Sequence, residues 1–304
     1  MAGKVSWIAA DWGTSRLRLF AVAADGRLLE TRESDEGMAV LAPRDFEPTL
    51  LELSDDWLCD APMPVIACGM VGARQAWVEV PYRTVPLLLA DLKPVDIRAN
   101  APRLAVSIVP GLAQNDPPDV MRGEETQLVG LTTLMPDFSG VVCLPGTHTK
   151  WCWVSEGRLQ RFTTRMSGEL YGLLTEHGVL RHAVDDGWRE ACFEDAVIEA
   201  AASKGDLLKS LFSVRAKSLL QYTLPGEAAA RLSGLVVGAE IAAMRAEIGD
   251  LPLMLVGGSG HTARYHAAMA CLGLPAETID GSHAVRTGLA KLSGRVSIET
   301  MELL

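Results

Sequence analysis

The sequence is short of basic residues and has neither a long apolar run nor a close cysteine pair. Its 28 lysines and arginines are outnumbered by 38 aspartates and glutamates, so the formal net charge is −10. Such a charge disfavours extended contact with nucleic acid or an anionic membrane. No segment offers the roughly 18 apolar residues of a membrane helix, and the apolar start of the chain stops at Asp11. We therefore expect a cytoplasmic protein that binds neither nucleic acid nor membrane.

The six cysteines are scattered along the chain without a C-x-x-C pair. This spacing indicates neither a zinc site nor a disulfide framework, and we expect reduced, mostly buried thiols. Apolar residues, in contrast, are plentiful. They make up 48% of the 304 residues, which is enough for a large core, and at this length two lobes are more typical than one.

One pattern of strands and turns occurs twice. In the first copy, residues 5–10 are typical of a buried strand, the turn at 11–15 follows, and alternating apolar residues from Leu17 predict a second strand. Asp25-Gly26 is a hairpin signal, after which residues 27–32 can return as a third antiparallel strand.

The second copy lies in the middle of the chain. Residues 141–144 enter a turn at 145–150, residues 151–154 leave it, and a glycine turn leads to a returning strand at 159–163. A strand–turn–strand–turn–strand unit in each half indicates two lobes of like topology. We expect the lobes to span 1–136 and 137–304, divided at a Pro- and Gly-containing turn.

The first turn of each copy combines glycine with small hydroxyl residues. Glycine lets the backbone come close to a ligand, and the amides and hydroxyls that follow can donate to phosphate oxygens. Either turn alone is equally typical of an ordinary tight hairpin, so it is their pairing that favours a polyphosphate ligand. The candidate residues are Gly13, Thr14, Ser15, Gly146, Thr147, His148, Thr149 and Lys150.

Asp11 lies at the end of the first predicted strand. A carboxylate there is costly to bury unless something pairs with it, and a hard oxygen ligand suits magnesium. We expect Asp11 to be catalytic and the metal ligand. A structural hydrogen bond to the turn amides is the alternative.

A strand, a glycine loop and a helix are predicted near the C-terminus. The apolar residues 251–256 end at Gly257, Gly258 and Ser259, and helical spacing begins at His261. The loop lets a nucleoside approach the backbone, which makes its three residues candidates for cofactor binding. Loops of this kind also occur simply as tight connections.

Two familiar motifs are excluded on detail. Residues 257–261 lack the closing glycine of the G-x-S-x-G nucleophile elbow. Residues 146–150 lack the G-K-[ST] of a Walker A loop. Up to this point the spacing predicts only a two-lobed phosphate binder.

These motifs resemble those of the actin-like sugar kinases, and within them of the 2-dehydro-3-deoxygalactonokinases. Residues 11–15 look like the first phosphate motif, 145–151 like the second, and 256–258 like the adenosine motif. A narrower resemblance comes from residues 68–77, 80–82, 121–127 and 165–171. The departures are mild: Ala76 stands where the family has glycine, and Thr149 where it has serine.

The resemblance implies a fold and an activity. The fold is α/β, with two actin-like, ribonuclease H-like lobes, each a mixed sheet flanked by helices, and an active-site cleft between the lobes. The activity is phosphorylation of 2-dehydro-3-deoxy-galactonate at its terminal 6-hydroxyl by ATP with Mg²⁺, in galactonate catabolism. A kinase of another sugar acid, a phosphatase and a regulatory ATPase are alternatives with the same fold. The oligomeric state stays open.

A sugar acid of this kind carries a carboxylate and several hydroxyls, so its pocket should offer a cation with donors and acceptors. Singly, an arginine could be ion-paired within the protein, and an aromatic ring could belong to the core. The candidate substrate-binding residues are Arg74, Gln75, Trp77, Tyr82, Arg122, Arg165 and Glu169.

Two adjacent glutamates are the candidate proton acceptors that phosphoryl transfer to a hydroxyl requires. Glu124 and Glu125 lie between Gly123 and an apolar helical stretch, in the first turn of a predicted helix. We rank Glu124 first because it lies nearer the glycine turn. Acidic residues also occur at this position merely as helix caps.

Overall fold

The computed structural model describes residues 4–203 and 206–295, which divide into two compact units. Unit 1 contains the chain up to Ser139, together with Trp153–Phe162 and the described residues from Ile279 onward. Unit 2 contains Gly140–Cys152 and Thr163–Thr278. The functional lobes expected at 1–136 and 137–304 stay a prediction.

Both units contain strands and helices. The strands are β1 (Trp7–Trp12), β2 (Leu17–Val22), β3 (Leu28–Ser34), β4 (Met63–Gly69), β5 (Arg83–Thr84), β6 (Leu87–Leu88), β7 (Val95–Ile97), β8 (Leu104–Ile108), β9 (Leu112–Asn115), β10 (Pro118–Met121), β11 (Gly140–Leu144), β12 (Thr149–Ser155), β13 (Arg158–Arg165), β14 (Leu253–Gly257) and β15 (Glu277–Asp280). The α-helices are α1 (Phe46–Ser54), α2 (Glu124–Leu134), α3 (Ser167–Glu176), α4 (Glu190–Ala202), α5 (Leu207–Leu220), α6 (Glu227–Ile248), α7 (Ser259–Cys271) and α8 (Gly281–Ser293). The predicted class, mixed α/β, is confirmed.

The large sheet of unit 1 has the strand order β3-β2-β1-β4-β8-β7. β1 pairs antiparallel with β2 on one side and parallel with β4 on the other. The first predicted hairpin is therefore confirmed, but β1 ends at Trp12 instead of residue 10. As a result Asp11 lies inside the ladder, directly opposite Arg18.

The second six-stranded sheet repeats this arrangement. β14, β11, β12 and β13 are neighbours in that order, and β11 pairs parallel with β14. In each of the two large sheets the first strand of a three-stranded meander thus has a parallel strand on its other side. β12 begins at Thr149, two residues earlier than predicted. The predicted internal repeat is confirmed.

The helices of unit 2 pack closely around α6. A side chain on Gly234 or Gly238 of α6 would overlap the backbone of α4, so these glycines allow the two helices to approach. Alanine-rich segments of the sequence predict helices over 194–202 and 235–248. Both exist, and both begin earlier along the chain than predicted.

All six cysteines are free, with Cys68, Cys143 and Cys152 buried and the other three partly exposed. Within residues 4–203 and 206–295, no helix combines the length and the apolar character needed to cross a bilayer.

Helix α2 of unit 1 is held by α8 through direct backbone contact. A Cβ on Gly130 would overlap the carbonyl of Ala284, and one on Gly288 would overlap the carbonyl of Thr126. Gly130 of α2 thus packs against α8, and Gly288 of α8 packs against α2. Together they fix the position of α2 in unit 1. The N-terminus of α2 carries both candidate glutamates, so this packing also positions them.

We predict that Gly288→Ala lowers the free energy of unfolding by ~1–3 kcal/mol, because the added methyl group has no room against α2. Gly172→Ala is the matched control. It lies in α3 with open space around its Cβ position and should be neutral or stabilising. Denaturant unfolding of both variants measures the difference, and equal stabilities would contradict the packing argument.

Candidate functional site

In unit 1 the ends of β1 and β4 meet the start of α2. Gly69 pairs with Trp12, and a Cβ on Gly69 would lie 2.5 Å from the Trp12 carbonyl oxygen. Its φ of +87° also requires glycine. A Cβ on Gly123, just before α2, would lie 3.4 Å from the Gly69 Cα. The fold thereby brings Asp11 of β1 and Glu124 of α2 to the same end of the sheet.

Asp11 has an arginine partner. Its Oδ2 accepts a hydrogen bond from Arg18, whose guanidinium also donates to Ser282 of α8. The Cys68 thiol lies 3.8 Å from Oδ1. The expected partner was either magnesium or the turn amides. The structure instead shows a cross-strand ion pair that compensates the charge of a carboxylate whose side chain is only 15% exposed.

Asp11 fits magnesium as a single ligand. Among the residues that the structure describes, no group of three or more His, Cys, Asp or Glu side chains could hold a metal ion. Magnesium bound with phosphates commonly takes only one or two protein carboxylates and keeps several waters. A carboxylate has about four lone-pair sites, so Asp11 keeps acceptor capacity beyond its contact with Arg18.

The two glutamates of α2 differ in exposure. Glu125 is fully buried, and accepts hydrogen bonds from the Gly123 amide at 2.6 Å and the Thr126 hydroxyl at 3.1 Å. Glu124 is half-buried, and its Oε2 accepts from the Arg122 amide at 3.1 Å. Both carboxylates therefore bind amides of the turn before α2. Which of them accepts a proton stays a prediction.

Burial controls the titration of this cluster. It raises the pKa of Glu125 to about 8, with a further contribution from the negative charge of Glu124. Burial also raises the pKa of the Cys68 thiol, reinforced by Asp11 and Glu125. Cys68 is thus a neutral group close to the Asp11 and Glu125 carboxylates, and it has a hydrogen bond to Thr126.

The loop after β1 leaves its polar side chains in solvent. Ala39 donates a backbone hydrogen bond to the Thr14 carbonyl at 2.9 Å, and Gly37 approaches that carbonyl so closely that a Cβ would overlap it. Thr14 and Ser15 are exposed, whereas Gly13 is half-buried. The backbone of this loop is anchored and both hydroxyls remain accessible to a ligand.

Arg122 has two unsatisfied buried donors. Its Nη2 donates to the Val80 carbonyl at 2.8 Å, and its guanidinium lies 4.3 Å from the centre of the Tyr82 ring. Nε and Nη1 are buried without a hydrogen-bond partner. Gly72 makes room for Nη1, since a Cβ there would lie 2.8 Å away. Unpaired buried donors are rare and costly, so Arg122 is a candidate for binding an acceptor from outside the chain.

The neighbouring segment is more ordinary. Arg74 is exposed and lies 3.3 Å from a carboxylate oxygen of Glu79, which matches the internal ion pair named above as an alternative. Gln75 is exposed as well. Trp77 is half-buried against the core of unit 1. A substrate role for these three residues stays a prediction.

In unit 2 the start of α3 supports the second glycine turn. A Cβ on Gly168 would overlap the Gly146 carbonyl, and the Glu169 amide donates to the Thr147 carbonyl at 2.9 Å. The Glu169 carboxylate hydrogen-bonds His148. No atom lies within 4 Å of a Cβ built on Gly146, so the turn is open on that side. Glu169 therefore contacts this turn, and its expected role in substrate binding stays a prediction.

Thr149 and Lys150 face the interior. Thr149 is fully buried, with its hydroxyl 2.9 Å from the Tyr265 hydroxyl. Lys150 is 5% exposed and donates to the Thr164 hydroxyl at 2.9 Å. The expected donation from the Thr149 hydroxyl to a phosphate is wrong for this structure, because β12 already begins at Thr149 and turns it inward. Only backbone groups of these two residues remain for a nucleotide.

The remaining unit 2 candidates lie on β13 and before α7. Arg165 donates to the Met244 sulfur at 3.1 Å, and belongs to unit 2, whereas Arg122 belongs to unit 1. Gly257 ends β14, and its Cβ position is 2.6 Å from the Thr262 hydroxyl oxygen. Gly258 has open space and an extended backbone, with φ −76° and ψ 159°. The Ser259 side chain lies outside the described part of the structure.

Sequence reasoning missed a small cavity beside this loop in unit 2. Tyr171 of α3 and His261 and Arg264 of α7 line it, together with Gly146 and apolar residues of α6. Burial lowers the pKa of His261, with a further contribution from Arg264, which favours the neutral imidazole. The cavity is mainly apolar, with a few hydrogen-bonding groups. His261 follows the glycine loop directly, which was the available signal.

Comparison with known proteins gives consistent results. The family model described as 2-keto-3-deoxy-galactonokinase matches residues 11–292. The chain is 39% identical over 291 residues to the probable 2-dehydro-3-deoxygalactonokinase DgoK1 of Rhizobium meliloti (strain 1021), covering 93% of this chain and 95% of that one. It is 34% identical over 297 residues to the 2-dehydro-3-deoxygalactonokinase of Escherichia coli (strain K12), covering 96% and 98%.

A solved structure is also similar. The crystal structure of a Sinorhizobium meliloti protein assigned as a 2-dehydro-3-deoxygalactonokinase superposes with a TM-score of 0.89 at 39% sequence identity. The match covers 94% of this chain and 98% of that one.

The buried Glu125 leads to a prediction about pH. Its folded-state pKa of about 8 lies above the model value of 4.5, so the stability it contributes is complete below pH 4.5 and is lost as pH rises through 8. Glu125→Gln cannot ionise. We expect its melting temperature, relative to wild type, to be higher at about pH 9 than at about pH 5. Glu52→Gln, an exposed change on α1, is the control and should show no such trend.

Proposed function

This chain belongs to the 2-keto-3-deoxy-galactonokinase family, and on that premise we propose that it transfers the terminal phosphoryl group of ATP to the 6-hydroxyl of 2-keto-3-deoxygalactonate. Family membership makes it a sugar-acid kinase that phosphorylates 2-keto-3-deoxygalactonate. The nucleotide, the position of the acceptor hydroxyl and the site residues are the further parts of the proposal. A cytoplasmic location and the oligomeric state stay predictions.

The observation that carries the proposal is the state of Arg122. A sugar acid differs from a neutral sugar by its carboxylate, and a guanidinium with donors that no protein group satisfies suits a charge-assisted hydrogen bond to a carboxylate. Tyr82 packs on the guanidinium face and is 42% exposed, so it can also contact the sugar. We assign Arg122 to the substrate carboxylate and Tyr82, Arg74, Gln75 and Trp77 to the rest of the substrate.

Glu124 is assigned as the acceptor of the substrate hydroxyl proton. It is the more exposed of the two glutamates, and Arg122 directly precedes its turn. Glu125, closed off from solvent, holds the Gly123 amide and so positions the start of α2. A base within hydrogen-bond reach of the hydroxyl is the part of phosphoryl transfer that the protein must supply chemically.

Asp11 is assigned to Mg²⁺, which would neutralise charge on the transferred phosphoryl group. Arg18 keeps the Asp11 carboxylate oriented. Thr14 and Ser15 offer two accessible hydroxyls next to Asp11 in the chain, and Gly13 lets a phosphate approach their amides.

The nucleotide is assigned to unit 2. Gly146, Thr147 and His148 would bind phosphate oxygens through backbone amides, with Thr149 and Lys150 contributing backbone groups only. Gly257, Gly258 and Ser259 would approach the nucleoside, for which Gly258 has open space. Glu169 orients His148 in this arrangement, and Arg165 supports the elements behind it.

A coupled ADP-release assay across a panel of 2-keto-3-deoxy acids tests the function. We expect turnover that depends on both ATP and 2-keto-3-deoxygalactonate, with product phosphorylated at the 6-position by NMR. Hydrolysis of phosphate esters without ATP would indicate a phosphatase instead. Slow ATP hydrolysis that no sugar acid accelerates would indicate a regulatory ATPase.

We predict that Arg122→Lys raises the KM for the sugar acid roughly tenfold or more, because lysine keeps the charge but loses the planar pair of donors. The KM for ATP should change little. Arg103→Lys, a surface change in unit 1 at an exposed ion pair, is the matched control. Steady-state kinetics with each substrate varied would overturn the assignment if both variants kept the wild-type KM.

We also predict that Glu124→Gln lowers kcat by roughly 10² to 10⁴ with little change in ATP affinity, since the amide keeps the shape and loses the basicity. Glu125→Gln should act mainly on stability, by about 1 kcal/mol through its weaker bond to the turn. The reverse order of the two kcat losses would move the proton acceptor to Glu125. Two fully active variants would remove the start of α2 from the reaction.

A further inference from the structure

Glu240 is a buried carboxylate that the proposed reaction does not use. It lies in the middle of α6 and is 6% exposed. Its Oε1 accepts from Trp151 Nε1 at 2.7 Å, and its Oε2 accepts from the Tyr265 hydroxyl at 2.9 Å. The Ser167 hydroxyl also hydrogen-bonds to it. A carboxylate this deep in an apolar helix would be costly without these donors.

The partners of Glu240 come from the elements that carry the nucleotide residues of unit 2. Trp151 lies on β12 two residues after Thr149, and Ser167 begins α3, whose next residue supports the Gly146 turn. Tyr265 lies on α7, which follows the Gly257 and Gly258 loop. One side chain therefore joins the phosphate turn, its supporting helix and the helix behind the adenosine loop.

Counting protons gives the network a direction. Tyr265 has a single hydroxyl proton, which it donates to Glu240. The Thr149 hydroxyl, 2.9 Å from the same oxygen, must then donate to Tyr265. The hydrogen bonds run from Thr149 through Tyr265 to Glu240, with Trp151 donating from the other side. All four residues have an exposure of 6% or less, so water cannot replace a lost partner.

The pKa of Glu240 is raised, because burial outweighs the groups that stabilise its negative charge. Burial raises its pKa, while the hydrogen bonds from Ser167, Trp151 and Tyr265 and the positive charge of Arg165 act in the opposite direction. Arg165, at the end of β13, thus interacts with a charged group within unit 2. The convergence of three donors on one carboxylate is the pattern expected for an anionic acceptor.

We propose that Glu240 is a positioning residue for the nucleotide: through the Tyr265 hydroxyl it holds Thr149 of the phosphate turn and helix α7 in the arrangement that receives the nucleotide. The proposal rests on the nucleotide site assigned above. The Thr149 hydroxyl faces inward and cannot donate to a phosphate. In this proposal it instead holds the phosphate turn against Tyr265. Glu240 itself touches neither nucleotide nor substrate in this proposal.

Tyr265→Phe is the sharpest test, because it removes one oxygen atom and disconnects Thr149 from Glu240. We expect the dissociation constant for ADP, measured by calorimetry, to rise ~3- to 10-fold, the worth of about one buried hydrogen bond. The dissociation constant for 2-keto-3-deoxygalactonate should stay unchanged. Tyr222→Phe, which removes the same atom from a side chain that is 87% exposed in unit 2, is the control and should bind ADP as wild type does.

Two variants of Glu240 separate positioning from bulk stability. In Glu240→Gln the amide oxygen can accept from Trp151 while the NH₂ group donates to Tyr265, which then donates to Thr149, so the chain of hydrogen bonds reverses but stays intact. Glu240→Leu removes every acceptor. We expect Glu240→Gln to retain most of the ADP affinity and Glu240→Leu to lose it. If Glu240→Leu does not fold, Tyr265→Phe still tests the proposal.

The outcomes separate this proposal from the proposed function. If the wild-type protein does not bind ADP, the nucleotide assignment itself is wrong. If the wild type binds ADP and Tyr265→Phe binds it equally well, with only a lower melting temperature, the network is merely structural and the positioning role is overturned. Equal loss of ADP and sugar-acid binding in Tyr265→Phe would overturn it as well.

Discussion

The close approach of Gly69 to the Trp12 carbonyl is the constraint on which the site in unit 1 depends. It lets two parallel strands end side by side and leaves room for the turn at Gly123 to lie against them. A methyl group at position 69 would separate Asp11 from the start of α2. Burial follows from this closeness, and burial in turn makes Glu125 and Cys68 hard to ionise.

The two large sheets use one architectural plan for different chemistry. Each has a three-stranded meander with a parallel strand beside its first strand. In unit 1 the strand end carries Asp11, compensated by Arg18 across the ladder. In unit 2 no acidic residue stands at the end of β11, where the chain continues as Pro145 and Gly146 instead. The repeated fold therefore positions a carboxylate once and an open glycine turn once.

Local patterns predicted the two hairpins, the glycine loop before α7 and the helix that starts at Glu124, because each depends on neighbours in sequence. The partner of Asp11 could have been found as well, since a hairpin register places Arg18 opposite it. The inward turn of Thr149 required knowing where β12 begins, which shifts by two residues. Tyr265 and Glu240 lie 25 residues apart in different helices, and only helix packing brings them together.

The unpaired donors of Arg122 have a consequence for discrimination among sugars. If Arg122 binds the substrate carboxylate as proposed, a neutral aldose of similar size could fill the same space, but its hydroxyls would have to replace the carboxylate, and a poor match would leave a desolvated cation without its counter-charge. Aldoses would then be rejected without any steric barrier, because a neutral ligand leaves the buried donors of Arg122 without an acceptor. On the proposed role of Arg122, such selectivity would exist before the substrate binds, because only an acid supplies the missing counter-charge.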